Sequence, residues 1–113
     1  MKLNRANLRR LLTLGALLPA ALTAQQVAIG NYSLPTLNSS PWGITSGPDH
    51  AMWFSEALAN KIGRIATTGA VTEYAIPTVG GGPQGITTGA DGALWFTEFS
   101  ANQIGRITTA GAG

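Results

Sequence analysis

Two glutamates are the first residues whose type and spacing could support chemistry. Glu56 ends the segment WFSE, and Glu98 ends the segment WFTE 42 residues later. A carboxylate at the mouth of a channel can hold a divalent cation together with other oxygen ligands. Its recurrence also suits a structural ion pair with Arg64 and Arg106, which follow each glutamate at the same distance. Both interpretations stay open, and recurrence favours the structural one.

Other reactive groups are few. The single histidine, His50, falls in a turn segment GPDH, where a solvated role is expected and no Ser-His-Asp set can form. Asp49 and Asp91 are predicted to form turns by bonding to nearby backbone. The chain has no cysteine, which excludes disulfides, thiol catalysis and cysteine zinc sites. The glycines at 80–82 lack the lysine and helix of a phosphate-binding loop.

These residues sit in a sequence repeat. Residues 41–70 align without gaps to residues 83–112, and 19 of the 30 paired positions are identical. The repeat extends upstream, where YSLPT at 32–36 precedes YAIPT at 74–78 by the same 42 residues. A period in the low forties, built from short strand-like pieces, is typical of a β-propeller blade.

The repeat predicts an all-β fold of four-stranded antiparallel meanders. We expect a fourth strand over 27–35, a full blade over 41–77 and the first three strands of a second blade over 83–109. Large apolar side chains should pack between the blades: Trp53, Phe54, Trp95 and Phe96.

Two blades cannot close a ring, because propellers have about four to eight. One explanation, which we favour, is that the chain is a piece of a longer propeller. The other is a homo-oligomer of three or four copies, in which the outer strand of each copy completes a blade of the next.

The N-terminus is predicted to be a signal peptide over 1–24, with a basic start followed by an apolar run too short to span a bilayer. The expected location is therefore the periplasm or the medium. Residues 25–113 keep three cations against five acids, a net charge of −2. That balance argues against a nucleic-acid partner and against binding to an anionic membrane after export.

The repeated pattern P-x-G-I-T-x-G-x-D-x-A-x-W-F-[ST]-E-x-x-A-N-x-I-G-R-I, followed by E-Y-x-I-P-T, resembles the virginiamycin B lyase (streptogramin lyase) family. The resemblance covers residues 32–113. It implies a seven-bladed propeller and an antibiotic-resistance activity. In that activity a magnesium-assisted elimination opens the ring of a cyclic depsipeptide at its ester linkage, without hydrolysis.

The resemblance also implies where the reactive groups would stand. Glu56 and Glu98 match the family's metal-binding glutamate and are the candidate Mg²⁺ ligands. The position of the family's base, a histidine after the blade's opening proline, is held here by Trp42 and Gln84, which are candidate ligand-binding residues. The family's second acid stands two positions before that histidine, where this chain has Ser40 and Gly82.

No residue of this chain is therefore predicted to be catalytic, and we expect it to be inactive alone. The leading hypothesis is a lyase acting on a small cyclic peptide. The alternative is a non-catalytic propeller fragment or an oligomerising binding module. A lactonase-like hydrolase with a central metal is the least favoured, because candidate ligands are lacking.

Overall fold

The computed structural model describes residues 28–113, of which residues 32–113 form one compact unit. This part of the chain is all-β, and its strands are β1 (Pro41–Ser46), β2 (Met52–Glu56), β3 (Lys61–Ile65), β4 (Val71–Ala75), β5 (Pro83–Thr88), β6 (Leu94–Glu98) and β7 (Gln103–Ile107). A short 3-10 turn covers Phe99–Ala101. The predicted signal peptide lies outside the described residues. Within 28–113, no helix has the length and apolar character needed to cross a membrane.

The strands form two antiparallel meanders, as the repeat predicts. Blade 1 is the four-stranded sheet β1-β2-β3-β4, and blade 2 is the three-stranded sheet β5-β6-β7. Both begin with the same irregularity, a bulge between Pro41 and Ile44 in blade 1 and between Pro83 and Ile86 in blade 2. The all-β, partial-propeller prediction is thus confirmed.

The strand predicted over 27–35 is not formed in the described part of that segment. Residues 28–34 pair with no other strand, and residue 27 lies outside the described range. The physical reason is that a strand requires a partner for its ladder, and no described strand lies beside this one. The segment nevertheless keeps the repeat's geometry. A Cβ added to Gly69 would lie 2.7 Å from the ring of Tyr32, as one added to Gly111 would lie 2.4 Å from the ring of Tyr74.

The backbone repeats as closely as the sequence does. All ten residues with positive φ among the described residues fall into five pairs 42 apart: Asn38 and Gly80, Ser40 and Gly82, His50 and Gly92, Asn60 and Asn102, Gly69 and Gly111. Left-handed conformations are costly for residues with a Cβ, so glycine and asparagine dominate the set. His50, with φ of 63°, occupies the hairpin position that Gly92 fills in blade 2.

Strand alternation gives each blade two faces. We call face A of blade 1 the side carrying Gly43, Trp53, Ser55, Ile62 and Arg64, and face A of blade 2 the side carrying their equivalents 42 residues later. Face B is the opposite side, which carries Ile44, Met52, Phe54, Glu56 and Ile65 in blade 1 and the equivalent residues in blade 2.

The core lies between face A of blade 1 and face B of blade 2. Its buried members are Ala51, Trp53, Ile62, Ile76, Leu94, Phe96 and Ile107, with Tyr74 and Ile86 packed against them. Three of the four aromatics predicted to pack are buried, while Trp95 on face A of blade 2 is 37% exposed. Phe54 and Phe96 each lie over a glycine of the neighbouring strand in their own blade, Gly63 and Gly105.

Polar contacts fix the inner strands of the two blades against each other. The Ser55 hydroxyl accepts the Gly43 N–H at 2.9 Å and donates to the carbonyl of Gln84 at 2.5 Å. A Cβ on Gly43 would lie 2.6 Å from that same carbonyl oxygen, so only glycine fits there. The Thr88 hydroxyl donates to the carbonyl of Ser46. β1 and β5, the first strands of the two blades, therefore lie side by side.

We expect His50→Gly to raise the free energy of unfolding by about 0.5–1 kcal/mol. The left-handed conformation costs a side-chain-bearing residue about 1–2 kcal/mol, part of which the extra freedom of unfolded glycine offsets. Gly92→His is the matched reverse change, because a Cβ there would meet no atom within 4 Å and the effect is conformational. Urea unfolding followed by circular dichroism measures both. Equal shifts of the same sign would contradict our interpretation that the left-handed conformation at this turn position costs histidine more than glycine.

Candidate functional site

Glu56 ends β2 on face B of blade 1. Its side chain is fully buried, and neither carboxylate oxygen has a hydrogen-bond partner among the described residues. Burial and, next, the adjacent carboxyl of Glu73 raise the pKa of Glu56 to about 7. At neutral pH the group is therefore divided between its protonated and charged forms.

Glu73, on β4, carries the negative charge of this cluster. Its Oε1 accepts hydrogen bonds from the Thr36 hydroxyl at 2.8 Å and from Lys61 Nζ at 3.4 Å, and Lys61 also donates to Thr36 at 2.8 Å. Burial alone raises the pKa of Glu73, but the neighbouring Glu56 carboxyl, the Thr36 hydroxyl and the Lys61 ammonium outweigh it, and the pKa lies below its ordinary value. Because the pKa of Glu56 is raised and that of Glu73 is lowered, Glu56 takes up a proton before Glu73 as the pH falls, and Lys61 balances the charge on Glu73.

Glu98 is the equivalent of Glu56 but has different neighbours. It lies on face B of blade 2 and is 5% exposed. Its Oε1 and Asn60 Oδ1 are both buried without a hydrogen-bond partner, and both lie within 3 Å of the point where a Cβ on Gly81 would stand, at 2.7 and 2.9 Å. The Asn60 amide is held in place by its donation to the Thr78 carbonyl at 2.8 Å. Glu98 thus faces an amide oxygen rather than a second acid.

The two glutamates do not fit a shared magnesium ion. Glu98 lies on the face of blade 2 that packs against blade 1, whereas Glu56 lies on the far face of blade 1, so the sheet of blade 1 separates them. Within residues 28–113 no three acidic, histidine or cysteine side chains cluster as metal ligands. Magnesium prefers six oxygens in octahedral array, and the second acid beside Glu56 is already paired with Lys61.

The predicted pairing of Arg64 and Arg106 with the two glutamates is wrong. Arg64 Nε donates to Asp49 Oδ2 at 2.7 Å, and Arg106 Nε donates to Asp91 Oδ2 at 2.9 Å. The reason is alternation, because Arg64 lies across from Trp53 on face A while Glu56 points to face B. Each arginine also stacks over a tryptophan, at 5.9 Å in blade 1 and 5.7 Å in blade 2.

Asp49 and Asp91 do form turns, as predicted, by accepting the backbone N–H two residues on, at 3.3 and 3.1 Å. Each also accepts the indole N–H of the tryptophan four residues on. Burial raises the pKa of Asp49, but the bonds from Arg64 and then Trp53 outweigh it and leave the pKa lowered. Hydrogen bonds from Trp95 and then Arg106 lower the pKa of Asp91 to about 2.

Trp42 and Gln84 occupy the second position of β1 and β5, inside the bulge of each blade. Trp42 is 66% exposed, and the backbone carbonyl of Gln84 accepts the Ser55 hydroxyl. β1 and β5 are neighbours, so both residues stand at the same end of adjacent inner strands. His50 lies in the exposed hairpin turn after β1, away from these positions in the sequence repeat.

Sequence reasoning missed Glu73, Lys61 and Asn60 as neighbours of the candidate acids. In the sequence, Glu73 is distinguished only as one residue of a predicted strand whose side chains alternate between two faces. Its approach to Glu56 depends on the register in which Gly63 pairs with Glu73 and Lys61 with Glu56, which the sequence does not state. Asn60 stands in both repeats as part of A-N-x-I-G-R-I, and this recurrence was the available signal.

We expect stability to fall as the pH rises from about 5 to 8. The folded-state pKa of Glu56 is raised from 4.5 to about 7, so its stabilising protonated form is fully present below 4.5 and is lost through 7. Glu73, with a lowered pKa, acts in the opposite sense and only below its ordinary value. At about 1.4 kcal/mol per pKa unit the loss is at most about 3.5 kcal/mol.

Glu56→Gln removes this titrating group and should leave stability flat across the same pH range. Chemical unfolding at four or five pH values measures the effect. A Glu56→Gln variant with the parent's slope would contradict the assignment of the proton to Glu56.

We expect Asp49→Ala to destabilise the chain by about 2 kcal/mol, because it removes a charged hydrogen bond and leaves the fully buried Trp53 indole without an acceptor. Asp91→Ala is the matched control and should cost clearly less, since Trp95 is 37% exposed and water can replace the lost acceptor. Thermal and urea unfolding compare the two. An equal loss of stability in both variants would show that burial of the tryptophan indole does not determine the cost of removing its acceptor.

Known proteins resemble this chain along most of its length. A sequence model of the Virginiamycin B lyase family matches residues 21–113. Selenomethionine-substituted virginiamycin B lyase from Staphylococcus aureus is 54% identical, with a TM-score of 0.74; the match covers 74% of this chain and 29% of that one. A catalytically inactive histidine-to-alanine variant of the Staphylococcus aureus lyase, with quinupristin, is 52% identical with a TM-score of 0.75, covering 77% and 30%.

A streptogramin B lyase structure is 54% identical, with a TM-score of 0.73, and the match covers 74% of this chain and 28% of that one. The chain therefore spans under a third of the length of these solved relatives. Because the family model matches more than half of its residues, the chain belongs to the virginiamycin B lyase family.

Proposed function

We propose that this chain supplies two blades of a lyase that opens the ring of a cyclic depsipeptide antibiotic by elimination. The observation that carries the proposal is an identity of 52–54% to solved lyases of this kind over 74–77% of the chain. One of those lyases was solved with quinupristin, which makes quinupristin the compound to test here.

Elimination at an ester linkage requires a base that removes a proton beside a carbonyl. The C–H electrons form the new double bond, and the C–O bond breaks to release a carboxylate. A general base must come within about 2.6–3.2 Å of the proton. Glu56 has a pKa near 7, which suits a base at neutral pH, but its full burial keeps substrate away from it. The base and the second acid would thus come from other blades.

These two blades would then line the substrate-binding site without supplying the base. Trp42 and Gln84 stand at the family's base position on adjacent inner strands, where an exposed indole and an amide can bind a cyclic peptide. Since Glu56 and Glu98 do not fit a shared magnesium ion, we assign any magnesium of the complete site to residues of other blades.

A chimera tests the proposal. Residues 32–113 replace, in the Staphylococcus aureus lyase, two adjacent blades that do not contain the histidine whose change to alanine inactivates that enzyme. We expect a folded chimera that linearises quinupristin, because this chain and the lyase are 54% identical over the matched residues and have similar folds, with a TM-score of 0.74. The same chimera with the host's essential histidine changed to alanine is the control and should be inactive. A folded chimera without turnover would contradict the proposal.

The isolated chain should give no linear quinupristin in the presence of magnesium, under conditions in which the Staphylococcus aureus lyase converts it fully. The reason is that no described residue places a base on an exposed surface at the position of Trp42 or Gln84. Mass spectrometry of the product measures the outcome. Turnover that survives repurification would show that a group in this chain acts as the base.

The absence of a histidine at residues 42 and 84 also supports a second candidate, a non-catalytic blade pair that binds a cyclic peptide. Quenching of Trp42 fluorescence by quinupristin, abolished in Trp42→Phe, would support it, and unchanged fluorescence would count against it. The signal peptide predicted over 1–24 leads us to propose that the protein acts after export, in the periplasm or outside the cell.

A further inference from the structure

The hairpin that joins β5 to β6 contains the only Asp–Gly dipeptide of the sequence, Asp91–Gly92. Both residues are exposed, and the side chain of Asp91 is 41% accessible to water. Gly92 has no side chain to shield its backbone nitrogen, and a Cβ placed on it would meet no atom within 4 Å. The carboxyl of one residue and the backbone nitrogen of the next are therefore adjacent in the chain and open to water.

Such a pair of groups can react with each other. The Gly92 nitrogen attacks the Asp91 carboxyl carbon, so that a C–N bond forms, the carboxyl C–O bond breaks, and the nitrogen's proton and the carboxyl hydroxyl leave as water. The five-membered ring that results takes up water again at either of its two carbonyls. Opening at the side-chain carbonyl restores aspartate. Opening at the main-chain carbonyl gives isoaspartate, in which the chain runs through the former side chain.

The fold restrains the carboxyl. Asp91 Oδ1 accepts hydrogen bonds from the Trp95 indole at 2.9 Å and from the Ala93 N–H at 3.1 Å, and Oδ2 accepts one from Arg106 Nε at 2.9 Å. The indole and then the guanidinium lower the pKa of Asp91 to about 2, so the carboxyl seldom carries the hydroxyl that ring closure expels. The carboxyl can reach the nitrogen only by leaving these donors.

The nitrogen is restrained as well. The Gly92 N–H donates to the carbonyl of Gly89 at 3.1 Å, and this hydrogen bond closes the turn. Gly92 holds the left-handed conformation that the turn requires, with φ of 77°. Attack on the carboxyl carbon would require the nitrogen to give up both its proton and this bond.

We propose that Asp91–Gly92 is a site of self-modification, at which the turn converts to isoaspartate, and that the contacts of Trp95 and Arg106 with the carboxyl set its rate. The proposal goes beyond the lyase function, and its test measures a covalent change rather than turnover. Isoaspartate lengthens the main chain by one carbon and shortens the arm that bears the carboxylate. Trp95 and Arg106 would thereby lose the acceptor that they share.

Blade 1 provides an internal comparison. Asp49 accepts hydrogen bonds from Trp53 at 3.0 Å and from Arg64 at 2.7 Å, as Asp91 does from their equivalents, but the residue that follows it is His50. The Cβ of His50 crowds the nitrogen that would have to attack. The side chain of Asp49 is also less exposed, at 19%. We therefore expect no comparable conversion at Asp49.

Incubation of the folded chain in mildly acidic buffer tests the site. Peptide mapping with electron-transfer fragmentation distinguishes isoaspartate from aspartate of the same mass. We expect isoaspartate to accumulate at residue 91 and not at residue 49. Gly92→His gives blade 2 the dipeptide of blade 1 and should abolish the conversion. His50→Gly should create a second site at Asp49, slower than the first because its carboxyl is less exposed.

Variants that release the carboxyl test the restraint. Arg106→Ala removes one charged hydrogen bond and should raise the rate at residue 91 about tenfold, which corresponds to about 1.4 kcal/mol. Trp95→Phe removes the indole donor but keeps an aromatic ring, at a side chain that is already 37% exposed, and should raise the rate less. Arg64→Ala, the equivalent change in blade 1, is the matched control and should leave the rate at residue 91 unchanged.

Circular dichroism shows whether each variant is folded, and Trp95→Phe decides the test if Arg106→Ala does not fold. In urea, where the contacts of the turn are lost, the parent and both blade 2 variants should convert at one common and faster rate. A folded parent that converts as fast as the unfolded chain would overturn the restraint, as would a folded Trp95→Phe that reacts at the parent's rate. A chain that forms no isoaspartate at residue 91 even in urea would overturn the site itself.

Discussion

The structure depends on one contact, in which the apolar side of one blade is covered by the next. A propeller blade is a thin sheet with two broad faces, and it cannot bury either face by itself. In blade 1 the covered face makes Trp53 and Ile62 part of the core. In blade 2 the same side chains, Trp95 and Ile104, remain in contact with water. The burial of a blade's apolar face therefore depends on the neighbouring blade.

The period of 42 residues was enough to predict the sheets, because the repeat specifies strand length, turn chemistry and the alternation that makes two faces. It was not enough to predict side-chain partners. Arg64 was expected to bind Glu56, but alternation places them on opposite faces, and Asp49 is the acid within reach. Residues 28–34 form no strand for a different reason, since a ladder needs a second strand that the described residues do not contain.

The recurring glutamate shows how the same motif position acquires different chemistry in different blades. Glu56 meets Glu73 and Lys61, whereas Glu98 meets Asn60 and stands near Gln103, the equivalent of Lys61. The position is buried in both blades, so it favours a neutral or paired carboxyl. A binding or reactive site can arise there only in a blade whose neighbours supply further ligands or a base, and those neighbours could not be read from the repeated motif.

The most direct measurement of the central contact is the unfolding free energy of Gly43→Ala. The new Cβ would stand 2.6 Å from the Gln84 carbonyl oxygen of the adjacent blade, and no other part of blade 1 approaches it as closely. If blade 2 covers blade 1 as described, the variant should lose at least about 1 kcal/mol, as overpacked sites do. A variant as stable as the parent would show that the two inner strands do not lie against each other.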